Sequence, residues 1–470
     1  MGQPAQSADR TKQFGEDNII RLMTRYSGPS IVAMMCSSAF NVINMTFVGR
    51  SIGPLGLAAI AICSPLTMIQ NSIAALVSNG CSAAVAITLG RGDSDGAREL
   101  LGSSIFFNFC LAGFNIALGF MFMDPLLRAF GASDVTISLA MEYYSVQMLG
   151  MIFGGLSALN PMLRIEGYPQ KAMFTMLMMA VVNIILAPLF IFVFGWGIRG
   201  AAFASFLAQG STAGYILLFI TKKERVVRLV FQNLKFRLNR MFMVVQLGLP
   251  NFLMQVTQSM LSIVLNKSLL TYGGDIAISA WGVTNNINNL VAQPVFGLNQ
   301  GAQPIIGYNY GAKKYRRVKI ALIYSLCAAT LFSLLGWVMT RFFAEQIIAF
   351  FNNDPELIAV GSRMLIVFRM FIIVVGFQQA GAAYFQYCGR PMTSIFLTLS
   401  RQVIFLIPCI LILSKTFLLD GILYSGPISD VLSTVMTAVF IIIEFRRLDK
   451  VALEEEAAIA DVEPEAVVEP

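Results

Sequence analysis

Twelve apolar stretches, each long enough to cross a lipid bilayer, constrain this chain more than any other feature. A helix rises 1.5 Å per residue and the hydrocarbon core is about 30 Å thick, so one crossing takes roughly 20 mostly apolar residues. Only a helix satisfies its backbone polar groups within one segment there. The stretches lie at 26–48, 55–79, 99–122, 138–161, 172–194, 200–221, 243–268, 276–300, 318–340, 357–385, 393–414 and 421–444. The sequence therefore predicts an all-α polytopic membrane protein with 12 transmembrane helices.

Composition excludes a soluble protein and most enzymes. Of the 470 residues, 56% are hydrophobic and only 13% are charged, against about a quarter charged in soluble domains. The chain contains no histidine, which removes nucleophiles that need a histidine base and zinc sites that need imidazole. The seven cysteines lie in apolar stretches and form no C-x-x-C pair. We therefore expect no enzymatic activity.

Lysine and arginine collect on one side of the predicted bundle. With both termini in the cytoplasm, the inside loops hold most of these residues, including the runs at 222–240 and 313–319. Basic runs beside membrane spans are typical of contact with anionic lipid headgroups rather than with nucleic acid. We expect a multi-pass protein of the cell (inner) membrane with lipid but not nucleic-acid partners. The oligomeric state stays open, and the sequence is compatible with a monomer.

The second half of the chain repeats the first at an offset near 221 residues. The aligned pairs are Gly53 with Gly274, Ala59 with Ala280, Gly80 with Gly301, Gly90 with Gly311 and Gly200 with Gly421. Six crossings is an even number, so both halves start on the same side and a pseudo-two-fold axis runs along the membrane normal. The predicted parts are a cytoplasmic tail (1–25), an N-lobe of spans 1–6 (26–221), a cytoplasmic interlobe linker (222–242), a C-lobe of spans 7–12 (243–446) and an acidic, disordered tail (447–470). A cavity between the lobes follows from this arrangement.

One block of eighteen residues carries a resemblance to a known family. The segment GLNQGAQPIIGYNYGAKK at 297–314 resembles the second-half signature of the multidrug and toxic compound extrusion (MATE) family, and FVGR at 47–50 and LRIEG at 163–167 are similar to its first-half counterparts. The resemblance implies a secondary active multidrug efflux antiporter. Such a protein exports small amphiphilic, cationic compounds in exchange for H+ or Na+ by alternating access. It implies no cofactor besides that coupling cation.

An exporter or flippase of a lipid-linked or anionic metabolite, built on a related fold, is the alternative. Such proteins tend to have two more spans and a cationic cavity. This chain has twelve spans, but Arg369 and Arg401 lie deep within them. The alternative therefore stays open.

Positions where family members hold coupling carboxylates are neutral in this chain. The resemblance places Asn44 at one such position in span 1, Ala187 four residues after Asn183 at another in span 5, and Gln258 at a third in span 7. Ser205 stands where a hydroxyl partner is expected. Amides do not titrate, so none of these residues is predicted to couple ions. Asn44, Asn183 and Ser205 remain candidates for lining the substrate cavity.

Three ionisable residues fall near the midplane of the C-lobe. Arg369, Arg401 and Asp430 each lie eight or more residues inside a predicted span, where a charge costs about 2.5 to 3.5 kcal/mol on insertion scales. They are our candidates for ion coupling. In one interpretation Asp430 binds and releases a proton or cation while a nearby arginine lowers its pKa. In the other, Asp430 forms a fixed ion pair that ties spans 11 and 12 together.

Span 8 and its neighbours are unusually rich in amides. Because a polar side chain in lipid must find a partner, these amides should face protein or a wet cavity. Contacts between helices would explain many of them individually, whereas together they indicate a hydrated C-lobe interior. The substrate-cavity candidates from this set are Gln255, Gln258, Asn289, Gln293 and Gln378.

Overall fold

The computed structural model describes residues 5–222, 224–235, 237–351 and 354–462, and side chains in these ranges except at 5–10, 39–55, 57–58, 231, 452 and 455–462. The described residues form helices and no strand. The helices are α1 (Ala5–Glu16), α2 (Ile19–Gly90), α3 (Ser94–Met121), α4 (Met123–Ala129), α5 (Ile137–Ser157), α6 (Pro161–Ile165), α7 (Pro169–Pro188), α8 (Gly197–Ile220), α9 (Leu238–Gly311), α10 (Tyr315–Phe342), α11 (Ala344–Phe351), α12 (Pro355–Phe368), α13 (Ile372–Tyr387), α14 (Pro391–Leu399) and α15 (Ile407–Val462). Short π-helical segments extend α7 over Leu189–Val193 and join α14 to α15 over Ser400–Leu406.

Three of these helices are too long for a single crossing. Helices α2, α9 and α15 contain 72, 74 and 56 residues, against the roughly 20 that one crossing needs. Helix α9 turns at Gly274, with φ of 67° and ψ of −167°, and α15 turns at Leu418, with φ of 51°. By length and apolarity, seven described stretches qualify as spans, or eight with one bent pair. Predicted spans 11 and 12 count there as one stretch, Pro391–Val451. Helix α9, which holds predicted spans 7 and 8, and the part of α2 before Ala59, which holds predicted span 1, are not among the stretches.

Span 10 differs from the sequence prediction of one continuous helix over 357–385. It consists of α12 and α13, which meet at a bend of 52°. Arg369 lies at the break, just after the last residue of α12. A partly buried arginine therefore lies where the two half-helices of span 10 meet.

Both predicted tails are helical where the structure describes them. Helix α1 and the first residues of α2 together occupy most of 1–25, and Phe14 near the end of α1 is buried against the C-lobe. The carbonyl oxygen of Phe14 accepts hydrogen bonds from Asn309 Nδ2 (2.8 Å) and Arg317 Nη2 (3.1 Å). At the other terminus α15 continues to Val462, so the prediction of a disordered tail from 447 is wrong up to that residue. The apolar part of α15 after the turn at Leu418 continues without interruption into the charged extension.

The two lobes exchange the first turns of their leading helices. Leu22, Met23 and Tyr26 of α2 are buried in a core cluster of the C-lobe. Reciprocally, Val244 and Leu247 of α9 are buried in the main core cluster of the N-lobe. Each lobe is thus completed by a segment from the other at one end of the bundle. We call this the linker end, because it carries the linker and the loops at 91–93, 166–168, 312–314 and 388–390.

Glycines let α2 and α9 touch backbone to backbone at the linker end. A β-carbon on Gly90 would overlap the carbonyl oxygen of Tyr308, and one on Gly311 would overlap that of Ile87. Both pairs, Gly90 with Gly311 and Ile87 with Tyr308, are 221 residues apart. This reciprocity is what a two-fold axis generates. The sequence repeat therefore corresponds to a pseudo-two-fold contact that closes the lobes together at this end.

Glu166 attaches the interlobe linker to the N-lobe. Its side chain is buried, and Oε1 accepts a hydrogen bond from the Val227 N–H at 2.5 Å. Arg225 stacks its guanidinium on the rings of Tyr168 and Phe219, 4.4 and 4.0 Å from their centroids. Burial raises the pKa of Glu166 above its usual range, although the Val227 N–H and the charge of Arg225 oppose the shift.

We expect Glu166→Gln to remove one pH-dependent contribution to stability. The folded-state pKa lies above the unfolded value of about 4.3, so this contribution is greatest below that value and falls as pH rises to the folded pKa. Glutamine keeps a carbonyl acceptor for Val227 and does not ionise. Thermal unfolding in detergent between pH 4 and 8 should show the wild type losing stability relative to the variant as pH increases. Parallel profiles for the two proteins would contradict the assignment.

Alanine at Gly90 or Gly311 should destabilise the closed linker end. The added methyl group forces the two backbones apart, and overpacking of this kind costs about 1 to 3 kcal/mol. Gly282→Ala in α9 is the matched control, because nothing lies within 4 Å of a β-carbon there. Thermal unfolding in detergent should give similar losses for both contact variants and none for the control. Equal behaviour of all three variants would rule out a close contact at this crossing.

Candidate functional site

A chamber of about 510 Å³ lies inside the C-lobe. Spans 7, 8, 10 and 11 supply most of its polar lining, and all five amides predicted for it are there. The structure brings together Gln255, Gln258, Asn289, Gln293, Gln378, Arg369 and Arg401 on this surface. The amide-rich faces of α9 and α13 thus enclose a cavity instead of facing lipid.

Asp430 and Arg401 form a buried ion pair beside this chamber. Arg401 Nε donates to Asp430 Oδ1 at 2.8 Å, and the aspartate side chain is 2% exposed. Arg401 lines the chamber, whereas Asp430 stands behind it in α15. The arrangement joins spans 11 and 12, as the ion-pair interpretation requires, and it also suits a cation switch.

Arg369 has an amide partner in place of a carboxylate. Its Nε donates to Asn288 Oδ1 at 2.5 Å, and its guanidinium lies 5.6 Å from the centroid of the Phe368 ring. Helix α13 begins three residues later, and its first residue, Ile372, also lines the chamber. The N-terminus of a helix carries partial positive charge. The C-terminus of α12 lies at the same break and carries the opposite partial charge, so the positive charge at this point is that of Arg369.

A second chamber, of about 500 Å³, lies inside the N-lobe. It is bordered by α2, α3, α5, α7 and α8 and is also rich in amides, among them Gln70, Asn71, Asn108, Gln147, Asn160 and Gln209. The two chambers share Ala75, Asn79 and Gln300. Asn79 and Gln300 directly precede Gly80 and Gly301, at which a β-carbon would clash with the opposite lobe. The chambers therefore adjoin just beyond the closed linker end.

Arg164 is a site residue that sequence reasoning missed. It lies close to the predicted end of span 4, where an arginine is ordinarily a solvated loop residue. In the structure its side chain is 2% exposed and lines the N-lobe chamber. Short helix α6 carries it inward after a break at 158–160. No charge pattern in the sequence signals that turn.

Three residues predicted to line the cavity, Asn44, Asn183 and Ser205, are not among the described lining residues of either chamber. Asn183 Nδ2 donates to Ser205 Oγ at 2.9 Å, which joins spans 5 and 6. Neither residue belongs to the lining of the two chambers, because each side chain is turned toward the other between the helices. The side chain of Asn44 lies outside the described residues.

The described lining of the two chambers contains arginines and no carboxylate. Arg164 faces the N-lobe chamber, and Arg369 and Arg401 face the C-lobe chamber. The undescribed side chains at 39–55 include no Asp or Glu. Asp430, which does not line either chamber, forms an ion pair with Arg401. Two lobes with a parallel repeat around polar, membrane-embedded chambers define a transporter of small solutes.

The family follows from comparison with known proteins. The MatE family model matches residues 29–189 and 250–412, and the chain belongs to this multidrug and toxic compound extrusion family. The FAD transporter of Shewanella oneidensis is 28% identical over 88% of this chain and 92% of its own. The multidrug export protein MepA of Staphylococcus haemolyticus is 23% identical over 94% of this chain and 98% of its own.

Solved structures of the family share the fold. A transporter of the MOP superfamily from Pyrococcus furiosus, described as having a binding pocket of reverse polarity that suggests a different function, has a TM-score of 0.88 at 23% identity, covering 93% of this chain and 98% of its own. The MATE multidrug transporter DinF-BH, solved as a complex, has a TM-score of 0.85 at 31% identity, with 91% and 96% covered. The predicted fold of 12 transmembrane helices in two lobes is confirmed. The chain is a multi-pass membrane transporter of small compounds.

Asp430→Asn should destabilise the C-lobe and separate the two interpretations of this residue. It leaves Arg401 buried without its carboxylate, and breaking a buried pair costs about 3 to 5 kcal/mol. Adding Arg401→Gln removes the orphaned charge and should restore part of the loss in thermal unfolding.

Transport by the double variant then decides the role of the pair. Ion-coupled transport that survives in a stable double variant means a fixed ion pair. Uncoupled transport at restored stability means that Asp430 is the switch. Arg363→Gln together with Asp420→Asn is the matched control, since that pair is exposed near the opposite end.

Proposed function

We propose that this protein is a secondary active exporter of the inner membrane, that it works by alternating access, and that its cargo carries an anionic group. The observation that carries the proposal is the arginine-bearing, carboxylate-free lining of both chambers in the described part of the chain. This favours the alternative of an anionic metabolite over the cationic compounds that the family resemblance implies. Exchange against H+ or Na+ remains part of the proposal.

Electrostatics supports an anionic over a cationic cargo. Two unit charges 4 Å apart interact by about 4 kcal/mol at an effective dielectric constant of 20. Beside Arg369, that energy opposes a cationic guest and favours an anionic one. The carboxylate of Asp430 forms its ion pair with Arg401 and not with Arg369. A difference of this size exceeds what dispersion contacts with an apolar wall return for a single group.

The amides suggest a cargo with a polar ring system as well as a charge. An asparagine or glutamine side chain both donates and accepts, which suits the edge of a heteroaromatic ring. FAD, which the Shewanella relative is named for transporting, combines such rings with a diphosphate. We infer that phosphorylated heteroaromatic compounds are the best first class of cargo to test.

Cationic drugs are the second candidate. The observation in their favour is that relatives over nearly the whole chain are multidrug export proteins. Methionine in both chambers also permits repacking around different guests. The two candidates differ in the sign of the cargo charge, so one set of probes separates them.

The lobe contacts suit a transport cycle. Closure at Gly90 and Gly311 separates the chambers from the linker end. With that end in the cytoplasm, the described state blocks release of the guest toward the cytoplasm, and the cycle requires this crossing to part. For an anion, the inside-negative membrane potential itself favours export by about 2.3 kcal/mol per charge per 100 mV.

Uptake into everted vesicles tests the proposal. We expect FAD to accumulate in vesicles that contain the protein, and ethidium, a cation, to accumulate little. Riboflavin, which has the same ring system as FAD without the phosphates, should accumulate less than FAD. Separate H+, Na+ and electrical gradients identify the driving force. Arg369→Gln should lower FAD uptake at least tenfold, and the control Arg341→Gln, at an exposed helix end, should not.

The opposite pattern would overturn the proposal. Ethidium accumulation that persists in Arg369→Gln, with no uptake of FAD, assigns the cationic cargo class. Uptake of neither probe under any gradient contradicts both candidates.

A further inference from the structure

Arg164 is a buried cation without a counter-charge among the described residues. Its Nη1 donates to Asn160 Oδ1 at 3.0 Å and its Nη2 donates to Gln300 Oε1 at 2.9 Å. Its Nε is buried and has no hydrogen-bond partner in the described part of the chain. Two neutral carbonyl groups thus hold a guanidinium that has five N–H donors.

The nearest acid in the sequence does not neutralise this charge. Glu166, two residues later, directs Oε1 to the Val227 N–H of the linker. The lining of the N-lobe chamber otherwise consists of amides, hydroxyls and apolar side chains. A buried charge is costly unless it is both paired and hydrogen-bonded. The positive charge of Arg164 therefore has no compensating negative charge in the described lining of this chamber.

The guanidinium is held in place by a fixed network. Asn160 Nδ2 donates to the carbonyl oxygen of Ala172 at 2.8 Å and to Thr175 Oγ1 at 2.5 Å, so its Oδ1 is directed to Arg164. Thr175 in turn donates to Ala172 O at 2.9 Å. Residues supported in this way lose little freedom when a ligand binds. The network positions the donors of Arg164 toward the chamber.

We propose that Arg164 is an anion-binding site in the N-lobe chamber, that it takes a phosphate-type oxyanion, and that Gln300 occupies it in the unloaded state. Arginine binds phosphate through two parallel N–H bonds, and such charge-assisted bonds are stronger than those to a neutral amide. A phosphate oxygen therefore displaces Gln300 Oε1. The site is distinct from Arg369 and Arg401, which line the other chamber.

Displacement of Gln300 has a consequence for the lobes. Arg164 belongs to the N-lobe and Gln300 to α9 of the C-lobe, so their hydrogen bond crosses the interface beside Gly301. An anion that replaces Gln300 removes this cross-lobe bond. Binding and loosening of the closed end are thereby linked. The link to transported cargo rests on the proposed function, whereas the anion site itself does not.

Binding of inorganic pyrophosphate and of FAD to the purified full-length protein in detergent tests the site. We expect Arg164→Gln to weaken pyrophosphate binding at least tenfold, as measured by calorimetry. Arg164→Lys keeps the positive charge but lacks the two parallel N–H donors of the guanidinium group, so it should weaken binding about threefold. Gln300→Ala removes the competing carbonyl, so its affinity should equal or exceed that of the wild type. Arg128→Gln is the control, because Arg128 is exposed and pairs with Asp124 and Asp134.

The outcomes separate this inference from the proposed function. Equal weakening by Arg164→Gln and Gln300→Ala reduces Arg164 to a structural tie and overturns the site. Wild-type affinity in Arg164→Gln does the same. Pyrophosphate binding that depends on Arg164, without binding or uptake of FAD, upholds the site and rejects the flavin cargo. A wild type that binds neither anion contradicts both proposals.

Discussion

The crossing of α2 and α9 at the linker end is the contact on which the rest of this structure depends. Gly90 and Gly311 each lie against a carbonyl oxygen of the opposite lobe, at a distance that a β-carbon would not allow. Apolar side chains alone give no preference for this interface, since lipid is as apolar as leucine, whereas backbone contact at small residues does. The same crossing fixes the pseudo-two-fold axis and closes both chambers at the linker end.

Charge is the second constraint, and it acts on the interior of both lobes. A membrane-embedded arginine needs partners, and this chain supplies three different solutions. Arg401 has a carboxylate, Arg369 an amide and a helix break, and Arg164 two amides from opposite lobes. A neutral amide accepts a hydrogen bond from the guanidinium but does not cancel its charge. Arg164 and Arg369 therefore have no carboxylate partner among the described residues, and this is the basis of the proposed anionic cargo.

Sequence reasoning reached the C-lobe chamber more fully than the N-lobe chamber. The amides of spans 7, 8 and 10 were predictable because polar residues in apolar spans must be enclosed. The depth of Arg369, Arg401 and Asp430 was predictable from the number of residues between each of them and the end of its span. Arg164 escaped because its depth depends on a short helix that turns inward after span 4. Asn183 and Ser205 were expected in the cavity, yet Asn183 Nδ2 donates to Ser205 Oγ between the helices. Spacing gives depth, but it does not give the direction in which a side chain points.

The sequence by itself determined an all-α membrane protein with twelve crossings and a parallel repeat, because hydrophobic length, backbone hydrogen bonding and an even number of spans per half dictate them, and the transporter class came from the resemblance of 297–314 to the family signature. Only the tertiary structure decided the break at Arg369, the helical ends outside the lobes, and which polar groups meet. Those features depend on packing between segments far apart in the chain, as in the bond from Arg164 to Gln300. The local sequence pattern does not predict such contacts, because the partner of each side chain depends on how the helices pack against one another.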